Sequence, residues 1–150
     1  MNISIKLKNI DEIKAKLSKM PQAMTKELGT AVKQTISKVQ RETIKEAPVN
    51  KGSGGGNLRQ SITSQMTGSA SGKLEVGSSY GVFVHEGTRP HTIYPKNKKA
   101  LANVRTGQFF GRKVEHTGTR ANKFLQRAVQ NSETEVQNFF SDAVARVAKL

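Results

Sequence analysis

The sequence predicts an α+β fold, with a small antiparallel sheet packed against two long amphipathic helices, one near the N-terminus and one C-terminal. In two long stretches, apolar residues recur every three or four positions, which is the helical period. Between these stretches lie short apolar and β-branched runs separated by glycine, serine and asparagine, a pattern typical of short antiparallel strands. Helices flanking such strands predict one helical layer against one sheet layer.

The N-terminal third is predicted to hold one strand and two helices. Residues 2–8 alternate polar and apolar side chains, as a half-buried strand does. Asp11 suits the positive end of a short helix, and Pro21 is tolerated in the first turn of a second one. That second helix runs from Gln22 to about residue 46. Pro48 ends it, because proline lacks a backbone donor and disfavours helix before it.

The middle of the chain is predicted to form loops and short strands. Gly52–Gly56 predicts a flexible loop, after which Asn57 would cap a short turn. Ser71-Gly72 suits a hairpin turn. Phe124 begins the C-terminal helix. Ser132 and Glu135 have the spacing of a capping box, but we expect the helix to continue past them because its apolar stripe keeps its phase. The predicted strands cover residues 62–67, 73–78, 92–95, 101–104 and 112–114.

Length and composition place the chain among single globular domains. Its 150 residues predict one domain over residues 1–150, with flexible loops near residues 50–57 and 96–112. Only 35% of the residues are hydrophobic and 5% aromatic, so the core is small and oligomerisation is a natural way to bury more apolar surface. There is no cysteine, no membrane-length apolar run and no secretion signal. We therefore expect a soluble protein of a reducing cytoplasm.

Charge and a short repeat single out the region from residue 85 onward. The pentapeptide His-x-Gly-Thr-Arg occurs at residues 85–89 and again at 116–120, without a longer repeat around it, which predicts two similar turns. Residues 87–131 carry ten lysines and arginines against one acid, in a chain of net charge +14. Such a density of positive charge indicates either a basic surface exposed to solvent or a segment whose charge is compensated by DNA phosphates or by an acidic partner. The basic segment comprises Arg89, Lys96, Lys98, Lys99, Arg105, Arg112, Lys113 and Arg120.

The residue patterns of enzymes are not met in the sequence. The Gly52–Gly56 stretch lacks the Gly-Lys-Ser/Thr ending of a phosphate-binding loop. His85, His91 and His116 have no cysteine or acidic cluster to complete a zinc site. His85 and Glu86 would face opposite ways on a strand, and on a helix or loop they would still lack a nucleophile. We expect no catalytic residue, no cofactor, no metal and no small-molecule substrate.

Several short motifs occur in one order along residues 10–150. These are Ala47-Pro48-Val49, Gly56-Asn57-Leu58-Arg59-Gln60-Ser61-Ile62, Val76-Gly77, Tyr80-Gly81-Val82-Phe83-Val84, Gly87-Thr88, Ile93-Tyr94-Pro95, His116, Gly118-Thr119 and Phe124. Together they resemble the tail-component family of long-tailed, lambda-like bacteriophages. The chain departs from the usual family pattern at Gly81, His85, Thr117 and Lys123, and in the extra glycines before Gly56.

The resemblance implies a structural virion protein of the head–tail junction, a subunit of a neck or tail-completion ring that joins the tail to the DNA-filled head. It implies a homo-oligomeric ring, six- or twelve-fold, that meets head-completion, tail-terminator or tail-tube proteins and has non-specific contact with phage DNA. The virion would be assembled in the bacterial host cytoplasm, away from any membrane. Structural roles are implied for Pro48, Gly56, Leu58, Arg59, Ser61, Tyr80, Gly87, Thr88, His116, Gly118, Thr119 and Phe124.

Two other classes of function compete with this one. A basic nucleic-acid-binding module acting outside a virion fits the charge, but the sequence lacks a zinc finger, an aromatic RNA-binding signature and a clear recognition helix. A nuclease would need clustered acidic metal ligands, which the sequence does not provide. The sequence leaves open whether the basic segment faces DNA or protein, and on which side of the junction the ring sits.

Overall fold

The computed structural model describes residues 10–49, 55–96, 99–103 and 106–149. The strand predicted at residues 2–8 and most of the Gly52–Gly56 loop lie outside the described residues. The chain divides into two compact units. Met1–Gly77 together with Leu125–Leu150 is called the helical unit, and Ser78–Phe124, which lies between these two segments in sequence, is called the inserted unit. The single-domain organisation stays a prediction.

Helix α1 spans Ile10–Glu46 as one continuous element of 37 residues with Pro21 inside it. The predicted division into a short helix and a second helix starting after Pro21 is therefore wrong. Proline in a helix interior removes one backbone donor, but the residues next to Pro21, Lys19 and Met20 before it and Gln22 and Ala23 after it, are good helix formers. The predicted end is confirmed, because α1 stops at Glu46, two residues before Pro48.

A single short turn of helix follows the glycine-rich stretch. Helix α2 spans Asn57–Gln60, and the residue at its N-cap position is Gly56, with φ 99° and no side-chain cap. The prediction that Asn57 caps this turn is wrong, since Asn57 is already the first helical residue. The left-handed φ of Gly56 turns the chain into α2, a conformation that glycine adopts without steric cost. Leu58 of this turn is buried.

Strands β1 (Ile62–Gly68) and β2 (Ser71–Val76) form an antiparallel hairpin against α1. Ile62 pairs with Val76, and the hairpin turns at residues 69–70 rather than at the predicted Ser71-Gly72. Gly72 lies within β2, and a β-carbon there would lie 2.9 Å from the δ-methyl of Ile36. The ribbon therefore packs closely on α1 at this position, and a larger residue would require Ile36 to shift.

Helix α4 spans Phe124–Ala148 and runs antiparallel to α1 in the helical unit. The predicted uninterrupted helix is confirmed. Ser132, at the proposed capping-box position, is fully buried, and its hydroxyl donates to the carbonyl of Ala128 at 2.7 Å within the helix. The small side chains of this face leave room for close approach to the rest of the core. The buried apolar residues of the helical unit are Ala31, Ala47, Leu58, Ile62, Ala128, Ala143 and Val147.

Three ion pairs between α1 and α4 share one register. Glu27 is bonded to Arg146, Lys38 to Glu135, and Glu46 to Arg127. Each step forward along α1, of 11 and then 8 residues, is matched by an equal step back along α4. The hydrogen bond from Lys38 to Glu135 is the main cause that raises the pKa of Lys38. The pairs are therefore consistent with one antiparallel register of the two helices, and they neutralise charge between them.

The inserted unit holds one short helix and two small ribbons. Helix α3 spans Gly81–Glu86, and the strands are β3 (His91–Ile93), β4 (Leu101–Ala102), β5 (Phe109–Gly111) and β6 (Val114–His116). Strand β3 pairs with β6, and β4 with β5, both antiparallel. The strand predicted at residues 112–114 is misplaced, because residues 112–113 connect β5 to β6.

The predicted α+β class is confirmed, with two long helices and small antiparallel ribbons against helix. In the described part of the chain the strands form three two-stranded ribbons rather than one sheet. The strand-forming runs are two to seven residues long, and each pairs with one neighbouring strand. None of the helices in the described ranges is long and apolar enough to cross a membrane.

Candidate interaction surface

The two His-x-Gly-Thr-Arg turns of the inserted unit pair with each other. The amide of Thr88 donates to the carbonyl of Thr119 at 2.9 Å, and the amide of Thr119 donates back to the carbonyl of Thr88 at 3.1 Å. The amide of Thr119 also lies 3.0 Å from the hydroxyl oxygen of Thr88. The two copies of the short repeat thus form turns that bind each other, and these paired turns are called the clasp.

Glycine is required on both sides of the clasp. Gly87 has φ 76° and ψ −176°, and Gly118 has φ 85°, conformations that side chains rarely adopt. A β-carbon on Gly87 would overlap the carbonyl oxygen of Thr119, and one on Gly118 would overlap that of Thr88. Each glycine therefore admits the backbone of the opposite turn, which explains the recurrence of glycine in both copies.

Two histidines face each other beside the clasp. His91 and His116 are partners in the β3–β6 register, with ring centroids 5.0 Å apart. The Nδ1 of His91 lies 2.9 Å from the carbonyl of Arg89 and so donates to it, whereas the Nδ1 of His116 accepts from the amide of Gly118 at 3.0 Å. These bonds hold both rings in place. The bond from Gly118 connects the ring of His116 to the second turn.

The third histidine lies in a separate cluster of the same unit. His85 packs edge-to-face on the buried ring of Phe124, with centroids 5.3 Å apart. Its Nδ1 is 2.7 Å from Glu86, which also binds Lys123. The hydrogen bonds from Lys123 and then from His85 hold the pKa of Glu86 below its ordinary value. His85 and Glu86 sit on helix α3 and touch, so the opposed geometry expected for a strand does not arise.

The structure does not assemble these histidines into a metal site. His85 is engaged with Phe124 and Glu86, apart from the pair formed by His91 and His116. Within the described ranges no group of three or more histidines, cysteines or acids could hold a metal ion. Each histidine therefore has a packing or hydrogen-bonding partner that accounts for its position.

The Gly-x-Leu-Arg-x-Ser-Ile motif joins the end of α1 to the first ribbon in the helical unit. Arg59 donates to the carbonyls of Ala47 at 2.8 Å and Lys45 at 3.0 Å, so its guanidinium caps the negative end of α1. The hydroxyl of Ser61 donates to the carbonyl of Leu58 at 2.7 Å and closes α2. These contacts connect Arg59 to the end of α1 and Ser61 to its own turn.

The basic segment is exposed wherever the structure describes it. Lys98 and Arg105 lie outside the described residues. Of the remaining cations, Lys113 lies 3.4 Å from Glu115, and both of these side chains are about two-thirds exposed. An exposed ion pair of this kind contributes little to stability. The exposed members of the segment are Arg89, Lys96, Lys99, Arg112, Lys113 and Arg120.

Exposed aromatic and aliphatic side chains share the inserted unit with these cations. Phe109 is 78% exposed on β5, and Val82 on α3 is 66% exposed. Among the described residues of this unit, the large apolar side chain that is fully buried is Phe124. Sequence reasoning missed this surface, although six of the chain's eight aromatic residues fall between residues 78 and 124. The exposed set is Tyr80, Val82, Phe83, Tyr94, Phe109 and Phe110.

An exposed surface of aromatic residues and cations is suited to binding another macromolecule. Aromatic residues and arginine are enriched in protein interfaces. Tyr80, which the family resemblance implied to be structural, is 45% exposed at the start of α3. The inserted unit is therefore the candidate interaction surface.

Comparison with family models gives one match. Residues 11–87 match the family model described as "Bacteriophage HK97-gp10, putative tail-component". The matched range includes α1, the Gly-x-Leu-Arg-x-Ser-Ile motif, the first ribbon and helix α3 up to the first turn of the clasp. No curated protein and no solved structure matches the chain.

Proposed function

This chain belongs to the HK97-gp10-like family of bacteriophage tail components, and we propose that it acts at the head–tail junction. In this role it is a non-enzymatic subunit of a neck or tail-completion ring that joins the tail to the DNA-filled head. A tail component is a virion protein, and tail components contact other virion proteins. The ring, its place at the junction and its neighbouring proteins are our proposal and go beyond the family assignment.

The observation that carries the proposal is the apolar surface of the inserted unit. Phe109 and Phe110 are 78% and 46% exposed on strand β5, and Val82 and Phe83 are 66% and 59% exposed on α3. At about 25 cal/mol per Å² of apolar surface, leaving such side chains in water is unfavourable. A ring that repeats one contact from subunit to subunit covers them without requiring a large core in each subunit.

Charge selects the partners of this surface. The inserted unit carries nine lysines and arginines against two acids. Cations at the rim of an interface steer association and set orientation, so the proteins docked here carry acidic rims. We assign this role to an adjoining head-completion, tail-terminator or tail-tube protein, while copies of the chain complete a six- or twelve-fold ring.

The test removes the exposed aromatic pair and follows particle assembly. Phe109→Ser with Phe110→Ser, introduced into the phage gene, is expected to leave separate heads and tails visible by electron microscopy. The matched control is Val129→Ser with Val144→Ser, which removes two apolar side chains of α4 that are 56% and 52% exposed. The control is expected to give joined, infectious particles. Joined particles from the phenylalanine variant would refute the assignment of this surface to the junction.

A further inference from the structure

Helix α1 carries a second basic surface that the sequence pattern did not single out. Lys19, Lys26, Lys33 and Arg41 are all exposed, and their spacings of seven, seven and eight residues place them on one side of the helix. At 100° per residue their directions fall within about 80° of one another. These four residues are called the α1 ridge.

The ridge is unpaired because the acids of α1 whose side chains the structure describes bind other residues. Glu27 and Glu46 bind arginines of α4, and Glu42 binds lysines of its own helix. Among the described residues none of the four ridge cations has an ion-pair or hydrogen-bond partner. The ridge thus presents four uncompensated positive charges.

The exposed face of α1 is also free of large apolar groups. Its exposed side chains, where the structure describes them, are Ala15, Ser18, Lys19, Pro21, Gln22, Thr25, Lys26, Thr30, Lys33, Gln34, Arg41 and Lys45. None of these is acidic and none is aromatic or a large aliphatic residue. Protein interfaces are enriched in aromatic residues and depleted of lysine, so the ridge differs in kind from the surface of the inserted unit.

We propose that the α1 ridge binds duplex DNA through its phosphates, without sequence preference. Lysine, arginine and polar side chains such as these make most contacts to the DNA backbone. From Lys19 to Arg41 the ridge extends about 33 Å at 1.5 Å per residue, close to one turn of B-DNA at about 34 Å. A groove lined by Lys33, Gln34, Ser37, Arg41 and the half-buried Phe139 adjoins it. Lys33 and Arg41 of the ridge therefore line this groove.

A second copy of the chain is a poorer occupant than DNA. The inserted unit has nine cations against two acids, and the rest of the chain has sixteen against nine. Both units are therefore positive, and another copy would offer the ridge no net negative surface. Duplex DNA carries one charge per about 1.7 Å of its axis, which matches a strip of regularly spaced cations.

The experiment measures the salt dependence of binding to a random-sequence duplex by fluorescence anisotropy, using the full chain. Four phosphate contacts contribute about −3.6 to the slope of log K against log salt. Replacing Lys19, Lys26, Lys33 and Arg41 with glutamine is expected to reduce the slope by about that amount. Equivalently, the roughly 150-fold loss of affinity that these contacts cause between 50 and 200 mM salt disappears.

A control variant of equal charge separates location from net charge. Replacing Lys96, Lys99, Arg112 and Lys113 with glutamine removes four exposed cations of the inserted unit, and its slope is expected to change by less than about one. Equal reductions in the two variants would overturn the proposal, because net charge alone would then explain binding. An unchanged slope in the ridge variant, with heads and tails left separate in the phage, would also overturn it and assign the ridge to a protein partner.

The variant is expected to fold, since lysine, arginine and glutamine have similar helix propensities and the side chains are exposed. Circular dichroism checks the helix content. A milder variant, Lys33→Gln with Arg41→Gln, is expected to reduce the slope by about 1.8. The result is independent of the junction test, which changes phenylalanines of the inserted unit and reads particle assembly.

Discussion

The clasp makes a quantitative prediction for Gly87→Ala. Gly87 has φ 76° and ψ −176°, a region that is almost exclusive to glycine and costs other residues about 1–3 kcal/mol. The added β-carbon would overlap the carbonyl oxygen of Thr119 and lie 2.8 Å from the amide nitrogen of Ala121. Separating the turns would break both hydrogen bonds between Thr88 and Thr119, at about 0.5–1.5 kcal/mol each. The expected loss of unfolding free energy is therefore about 2–6 kcal/mol.

The matched control is Gly107→Ala. Gly107 also has positive φ, at 69°, but a β-carbon there would have no neighbour within 4 Å. It should lose only the strain of a left-handed residue, about 1–2 kcal/mol. Urea unfolding followed by circular dichroism measures both losses, and hydrogen exchange reads the amides of Thr88 and Thr119. If Gly87→Ala costs no more than Gly107→Ala and both amides stay protected, the reasoning from backbone contact is refuted.

Four further changes probe other parts of the fold. Phe124→Ala should reduce the free energy of unfolding by about 3–5 kcal/mol, because its ring is fully buried; a loss below 1 kcal/mol on thermal unfolding would contradict this. Arg59→Ala should cost about 1.5–3 kcal/mol by leaving two carbonyls of α1 without their charged donor, while an equal loss in Arg59→Lys would show that the forked geometry matters. Gly29→Ala, which would normally stabilise a helix interior, should instead destabilise by about 1–3 kcal/mol because its β-carbon overlaps the carbonyl of Ser69. Lys123 and His85 lower the pKa of Glu86. The ionised Glu86 carboxylate therefore stabilises the fold above about pH 4.5, and this stabilisation is lost as the pH falls through the folded pKa. Lys123→Met should weaken this dependence of the unfolding free energy on acid, measured by unfolding at a series of pH values.

Local sequence signals determined the helices and their ends. Apolar residues at steps of three and four predicted α4 from Phe124, and Pro48 marked the end of α1. These features depend on neighbours within a few residues, so the sequence is sufficient to predict them. The same kind of signal failed at Pro21, where a local rule for helix starts was overridden by continuous helix on both sides. It failed again at Gly72, which lies in β2 and packs on Ile36 of α1, while the turn lies two residues earlier.

The functional surfaces were only partly predictable. The sequence showed a basic segment and two similar turns, and its motifs resembled the tail-component family that the comparison with family models then identified. It did not show that the two turns bind each other, since Thr88 and Thr119 are 31 residues apart. Nor did it show that Phe109 and Phe110 would be exposed, because apolar residues in a short strand are ordinarily expected to face the core.

The sequence by itself determined the α+β class, the two long helices, the excess of positive charge and the family motifs, because each depends on composition or on short-range order. Only the tertiary structure decided which apolar residues of α4 are buried, leaving Val129 and Val144 exposed while Ala143 and Val147 enter the core. The tertiary structure also decided which charged side chains form ion pairs. The ion pairs of Glu27 and other α1 acids depend on the register between distant helices, and that register leaves the α1 ridge unpaired. Register and burial arise from contacts between residues far apart in the chain, which no local pattern encodes.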